Sequence, residues 1–193
     1  MKKQVFLIHG WEGYPENSWF PWLKRSLEQK GFEVITPAMP DPIHPKKSEW
    51  VKFLNDLIPN PNQNTFFVGH SMGCRTILRY LEDLPADTKI GGAVFVAGWV
   101  NLPIWDGRTE EQVKIVEDWV NPPMDFEKVL KHAKNFMAIY AKDDPYFLPE
   151  NATVYKDQLN AKLIEKNGFG HFADEDGVKE LPEVLEVIIE MSK

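Results

Sequence analysis

The chain has 193 residues, of which 43% are hydrophobic and 26% charged, and a formal net charge of −7. That size suits one domain, spanning 1–193, and the acid excess excludes both the basic face of a nucleic-acid binder and an electrostatic draw to anionic membranes. A single cysteine, Cys74, excludes an internal disulfide or a thiolate metal cage.

The elements alternate along the chain. "QVFLIH" (4–9) is a short apolar run that reads as a buried strand, preceded by only two lysines. That opening is too brief for a secretory leader, and no window approaches the roughly 18 apolar residues of a membrane span, so a soluble, cytoplasmic protein is expected. "WFPWLKRSLEQKG" predicts a helix, with Pro21 in its first turn and Gly31 at its end. "FEVIT" (32–36) is a second strand, and "PAMPDPIHP" holds four prolines in nine residues, which predicts an ordered loop. "SEWVKFLNDLI" predicts a helix with Trp50, Leu54 and Leu57 on one face. "TFFVGH" (65–70) is a third strand. The helix predicted from about Met72 to Leu84 sets Cys74, Ile77, Leu81 and Leu84 on one stripe before Pro85 stops it. "IGGAVFVAG" (90–98), "NFMAIYA" (135–141) and "AKLIEK" (161–166) complete the strands, and a last helix is expected from about Gly177 to Met191. The segment 99–134, with Trp99, Trp105 and Trp119, is a short cap-like insertion.

Alternating strands and helices with short connections predict an α/β fold, a mostly parallel sheet of about six strands with helices on both faces. In such sheets ligands sit beyond the carboxyl ends of the strands. The residues there are His9-Gly10-Trp11 after strand one, Gly69-His70-Ser71-Met72-Gly73 after strand three, Lys142-Asp143-Asp144-Pro145 after strand five and Gly170-His171-Phe172 after strand six. Serine, acid and histidine therefore reach one edge in that chain order, which is the order of an α/β-hydrolase triad. A serine hydroxyl needs a base to take its proton, and the base needs an anion to orient it. Gly-x-Ser-x-Gly suits a sharp strand-to-helix turn that strains Ser71 and leaves no room for side chains at 69 and 73.

His171 is the only histidine after the candidate acids. His70 is read as structural, its side chain turned from Ser71, and His9 as a loop holder. His44 and His132 are read as solvated, and Cys74 as a buried thiol facing the core. Asp143 and Asp144 compete for the acid role, and periodicity does not separate them. The oxyanion hole is expected to use the backbone N–H of Met72 and a second from the loop after strand one, Trp11 first and Glu12 next. Trp11, Tyr14, Trp99, Phe147 and Phe172 are candidates for an apolar pocket. "DEDG" at 174–177 lacks the glycine and distal glutamate of a calcium loop, and no H-E-x-x-H, P-loop or G-x-G-x-x-G occurs, so neither metal nor cofactor is expected.

"HGW" followed by "SWFPWLKRSLEQKG", "MPDP" at 39–42, "GHSMGC", "DDP" at 143–145 and "GHF" at 170–172 together carry a resemblance over nearly the whole chain. The sequence resembles the small α/β-hydrolases of the YdeN type, a group related to retinoblastoma-binding protein 9. The resemblance implies a three-layer α/β-hydrolase fold with a minimal cap and an esterase-like serine hydrolase of undefined substrate. It also implies that the triad acid is the aspartate just before the proline, giving Ser71, Asp144 and His171. The retinoblastoma-protein partner tied to an L-x-C-x-E motif does not carry over, because this chain lacks that motif. A small acyl substrate is the expected partner. The alternatives are an acyltransferase, thioesterase or perhydrolase with the same triad, or a non-catalytic binding module on a hydrolase scaffold. A dehalogenase is excluded by Ser71, where that chemistry needs an aspartate.

Overall fold

The computed structural model describes residues 2–102 and 107–193. Trp105 lies outside them. Six strands, β1 (Gln4–Ile8), β2 (Glu33–Ile35), β3 (Thr65–His70), β4 (Gly92–Val96), β5 (Phe136–Ala141) and β6 (Lys162–Lys166), form one sheet in the order β2-β1-β3-β4-β5-β6. Every pairing is parallel, with Ile8 beside Gly69 and Gly69 beside Phe95. Seven helices connect them among the described residues: α1 (Phe20–Gln29), α2 (Lys47–Leu57), α3 (Met72–Asp83), α4 (Glu110–Val120), α5 (Phe126–Leu130), α6 (Pro149–Leu159) and α7 (Pro182–Met191).

Strand residues alternate between two apolar layers, as the period of two requires. Val5, Leu7, Val68 and Val94 face α1 and α7, whereas Phe6, Ile8, Phe67 and Phe95 face α2, α3, α5 and α6. Both faces of the sheet are therefore covered, which is why its strands read as continuous apolar runs rather than alternating ones.

Three helices were not legible as elements. α4 and α5 lie in the insertion, and α6 follows β5. α4 does carry a readable start: Thr109 accepts from Gln112 N–H while the Gln112 side chain accepts from Thr109 N–H, a reciprocal capping box. α6 has a weaker signal, Pro149 in its first turn and Asn160 in the left-handed conformation at its end. The last helix is shorter than expected. It begins at Pro182, because Gly177 takes a φ of 71° and Val178 and Leu181 are buried from a loop. Leu57 is exposed rather than buried, since α2 ends there and Ile58 takes the core position instead.

The insertion is bolted down by buried polar groups. The guanidinium of Arg75, on α3, donates through Nε to the Trp119 carbonyl at 3.1 Å and lies 5.7 Å from the Trp99 ring centre. Desolvation lowers its pKa to about 10, so it stays charged. Asn151, fully buried on α6, accepts from Val100 and Asn101 N–H at 2.9 Å and donates back to the Asn101 carbonyl. Trp119 packs against Trp50 and donates its indole N–H to the Pro45 carbonyl at 2.9 Å. Trp119→Ala should therefore cost about 3–5 kcal/mol, read as a shift in urea unfolding at constant slope, and should raise protease sensitivity around α4.

Candidate active site

Ser71 stands between β3 and α3 with φ 52° and ψ −119°, a left-handed conformation that is costly for a residue with a Cβ. Close packing imposes it. A Cβ on Gly73 would lie 2.1 Å from the Ile8 carbonyl oxygen, and one on Gly69 would lie 2.6 Å from the Cys74 nitrogen. The helix can sit this near the sheet only if both positions are glycine. Ser71 N–H donates to the Val96 carbonyl at 2.9 Å, which locks the turn to β4. The strain is not confined to the serine. Among the described residues six of the seven non-glycine residues at positive φ, Glu12, Ser18, Asp41, Ser71, Ala97 and Phe172, lie in the connections that follow strands.

The two aspartates divide the work at the end of β5. Asp144 is 6% exposed. Its Oδ2 receives the His171 Nδ1–H at 2.8 Å, and its Oδ1 accepts from the Tyr146 N–H at 2.8 Å. Because Nδ1 carries the proton toward the carboxylate, Nε2 of a neutral ring is left as an acceptor. Asp143 is exposed and holds the backbone instead. It accepts from Gly168 N–H at 2.7 Å and Gly170 N–H at 3.0 Å, and these bonds lower its pKa, Gly170 most. Both glycines have positive φ, so the carboxylate fixes the turn that delivers His171.

His70 packs its ring against Trp19 and His171. It lines the same cleft as Ser71, and its Nε2–H donates to the His171 carbonyl at 2.7 Å. Desolvation, with the His171 imidazole adding to it, lowers its pKa to about 3, so it acts as a neutral strut. His9 is a second strut. Its Nε2 accepts from Met39 N–H at 3.0 Å, which leaves Nδ1–H to donate to the Gly10 carbonyl at 2.9 Å. Burial lowers its pKa as well. His132 is buried rather than solvated, with Nδ1 2.9 Å from the Thr88 carbonyl, because α5 ends against the start of β4. His44 is exposed, beside Asp41. Cys74 is buried, and its thiol is pushed well up by desolvation.

The cleft above Ser71 has a volume of about 350 Å³ and is lined by Trp11, Ser71, Met72, Trp99, Tyr146 and His171 among others. Ser71 Oγ and His171 share it without a direct hydrogen bond between them. Such contacts are commonly long in free enzymes and tighten on substrate. The backbone N–H of Met72, first in α3, has no acceptor within the helix. In the loop after β1, Glu12 N–H is already engaged by the Pro42 carbonyl at 2.8 Å. Trp11 N–H has no acceptor among the described residues, and its indole is anchored to the Ile43 carbonyl at 2.9 Å. Of the two candidates for the second donor, only Trp11 is free.

Three of the expected pocket aromatics are elsewhere. Phe172 is fully buried in the layer under α1 and α7, Phe147 stacks on Tyr140, and Tyr14 bonds to Asp174 at the rim. Tyr146 was missed. Its ring packs edge-on to His171 at 5.0 Å, and the Asp-Pro-Tyr turn that puts it there has no helical or strand periodicity to reveal it. Asp174 accepts from Tyr14, Asn17, Ser18 and Lys179, tying the His171 loop to the loop after β1. Among the described residues no cluster of His, Cys, Asp and Glu could hold a metal ion, and no helix is long and apolar enough to cross a membrane.

The chain is similar to YdeN of Bacillus subtilis (strain 168), at 32% identity over 189 residues, 97% of this chain and 95% of that protein. The crystal structure of the ydeN gene product superposes with a TM-score of 0.88 at 30% identity, covering 98% of each chain. Serine hydrolase RBBP9 of Rattus norvegicus is 24% identical over 176 residues, 91% of this chain and 87% of that one. Est1E from Butyrivibrio proteoclasticus shares the fold at a TM-score of 0.73 and 16% identity, over 98% of this chain and 88% of its own. The family pattern for serine hydrolases matches residues 5–190. With nearly its whole length matched, the chain belongs to the serine hydrolase family.

Proposed function

We propose that the protein hydrolyses small carboxylic esters through a Ser71–His171–Asp144 triad. The observation that carries this reading is the buried Asp144 carboxylate bonded to His171 Nδ1, in the cleft that holds the strained Ser71. His171 Nε2 takes the Ser71 proton as Oγ attacks the substrate carbonyl. The carbonyl oxygen, now negative, is received by the N–H groups of Met72 and Trp11, with the N-terminus of α3 favouring the charge. The tetrahedral species collapses, and His171 gives the same proton to the departing alcohol. Water, deprotonated by His171, then attacks the acyl-Ser71 ester, and carboxylic acid leaves with Ser71 restored.

The cleft also bears on the substrate. Its volume, about 350 Å³, sits at the small end of ligand sites. Glu12 and Glu175 line it, and among the described residues no lysine or arginine does. Like charges raise the cost of admitting an anion. A short, uncharged acyl ester fits better than a thioester on a polyanionic carrier. The same triad would serve an acyltransferase or perhydrolase, and product analysis with alcohol or peroxide acceptors separates these.

A fluorophosphonate probe should label the wild-type protein and leave Ser71→Ala unlabelled, with turnover of p-nitrophenyl acetate in that variant lower by about five orders of magnitude. A wild-type protein that neither takes the label nor turns over any short ester would instead be a binding module. Asp144→Asn should lower kcat by about four orders of magnitude, since the imidazole loses its tautomer. Asp143→Asn disturbs only the loop and should cost at most about a hundredfold. Equal losses at 143 and 144 would refute the division of roles.

A general base works only unprotonated, so the rate should fall on the acid side of the pH profile. His70, with its pKa lowered to about 3, stays neutral across that range. His70→Gln, which keeps a donor for the His171 carbonyl, should leave the acid limb in place in kcat/KM measurements. A displaced limb would make His70 the titrating group.

A further inference from the structure

At the opposite end of the sheet, where the strands begin, lies a cleft of about 690 Å³. It is larger than the one above Ser71. Lys3, Lys89, Lys131, Lys134 and Lys193 line it, and among the described residues no aspartate or glutamate does. A neighbouring cleft of about 440 Å³ adds Lys2 and Lys30, shares Lys3 and Lys193, and again has no acidic lining residue. Among the described residues none of these lysines pairs with a carboxylate. Elsewhere pairing is commoner but not universal: Lys24, Lys46, Lys47, Lys52, Lys142, Lys166 and Lys179 are each matched to an acid, whereas Lys114, Lys128, Lys156 and Lys162 form no ion pair among the described residues. In a chain with 29 acids and 22 bases, an edge furnished only with cations is against the average.

Part of this has a structural cause. Helices α1, α5 and α7 end at this edge, and a cation at a helix C-terminus complements the helix dipole. That accounts for Lys30 and Lys131, which follow α1 and α5 directly. Lys193 falls under the same account, since its backbone N–H bonds to the Glu190 carbonyl just past the end of α7. Lys3, Lys89 and Lys134 have no such role, because they lie on the approaches to β1, β4 and β5. Two of these ammonium groups are held in place: Lys3 donates to the Ser192 carbonyl and Lys89 to the Lys131 carbonyl. Each keeps further N–H donors free.

The cleft is not merely charged. Phe66, Ile90 and Met191 also line it. A Cβ on Gly91 would lie 2.3 Å from the Phe66 ring, so the glycine lets that ring approach the floor. Gln63 and Asn64 also line it, and the Gln63 backbone carbonyl lies beside Gly91. An apolar floor and several unpaired ammonium groups within one concavity of this volume fit a small organic molecule better than an extended surface. We propose that this basal cleft binds a small organic phosphate, one carrying one or two phosphoryl groups on an apolar or aromatic body. The lysines meet the phosphoryl oxygens, and the partly exposed Leu130 and Met191, with Phe66 buried beneath, receive the body. The site is remote from the strand ends that carry Ser71, so it does not depend on the ester-hydrolase reading.

The test uses ADP as the probe, titrated calorimetrically into the full chain at low salt, beside inorganic pyrophosphate and phosphatidylserine vesicles. ADP should bind at one site and weaken as salt is raised. The double variant Lys89→Glu with Lys134→Glu should weaken ADP by about tenfold or more, while Lys114→Glu with Lys156→Glu, which changes net charge equally, should not. Circular dichroism checks that both variants fold. Protein labelled at Ser71 by the fluorophosphonate should bind ADP as before. The proposal falls if ADP does not bind, if both double variants weaken it equally, or if the label abolishes binding. It also falls if vesicles bind and ADP does not, which would make this edge a lipid-facing surface.

Discussion

Between the Ile8 carbonyl oxygen and the α-carbon of Gly73 there is no space for a methyl group; a Cβ there would stand 2.1 Å from that oxygen. This close approach of α3 to β1 sets the geometry of the whole carboxyl edge. It forces the chain to turn within one residue, and that residue, Ser71, adopts a left-handed conformation. Strain of this kind persists only where the surroundings over-determine it. Here they do: Ser71 N–H is tied to β4, Gly69 sits against the backbone of Cys74, and the two apolar layers press the sheet from both sides. The core is thus the spring that holds the hydroxyl up.

Around that turn, ionisable side chains serve mostly as rigid connectors. His9 and His70 are neutral and each uses ring nitrogens to join two stretches of backbone or hold one. Asp143 and Asp174 use several oxygen lone pairs to gather loop N–H groups. A histidine suits the first task because it offers a donor and an acceptor on opposite sides of one flat ring. An aspartate suits the second because a carboxylate accepts several bonds without a competing donor. The result is a wall in which His171 keeps one nitrogen uncommitted. Binding the remainder in advance fixes the ring around that uncommitted nitrogen.

Charge is distributed along the strand axis. Acidic side chains line the cleft at the carboxyl end, and unpaired lysines gather where the strands begin. A parallel sheet makes such separation natural, since all strand starts lie at one edge and all helix ends return to it. The helix dipoles then favour cations at one edge and anions at the other. The lysines not explained by helix ends, and the concavity beneath them, are what distinguish this chain's basal edge from that general tendency.

Much of this was legible in the residues. Six strands, their parallel class and the Gly-x-Ser-x-Gly turn follow from short apolar runs, helical stripes and glycines, because burial on both faces and sharp turns impose those residue types locally. Helix α6 escaped because its stripe is weak and no side chain caps its start, and α5 because it has only five residues; α4 carries a readable capping box and stripe within the insertion. The site was readable as residue kinds in chain order, yet Asp143 and Asp144 are chemically identical neighbours. Only the fold decides between them, by burying Asp144 against His171 and leaving Asp143 at the surface to hold glycine N–H groups. The same holds for His70, His132, Phe172 and Leu57. Sequence sets what a side chain can do, but which neighbour it meets, and whether water does too, depends on contacts between segments far apart in the chain, to which local periodicity is blind.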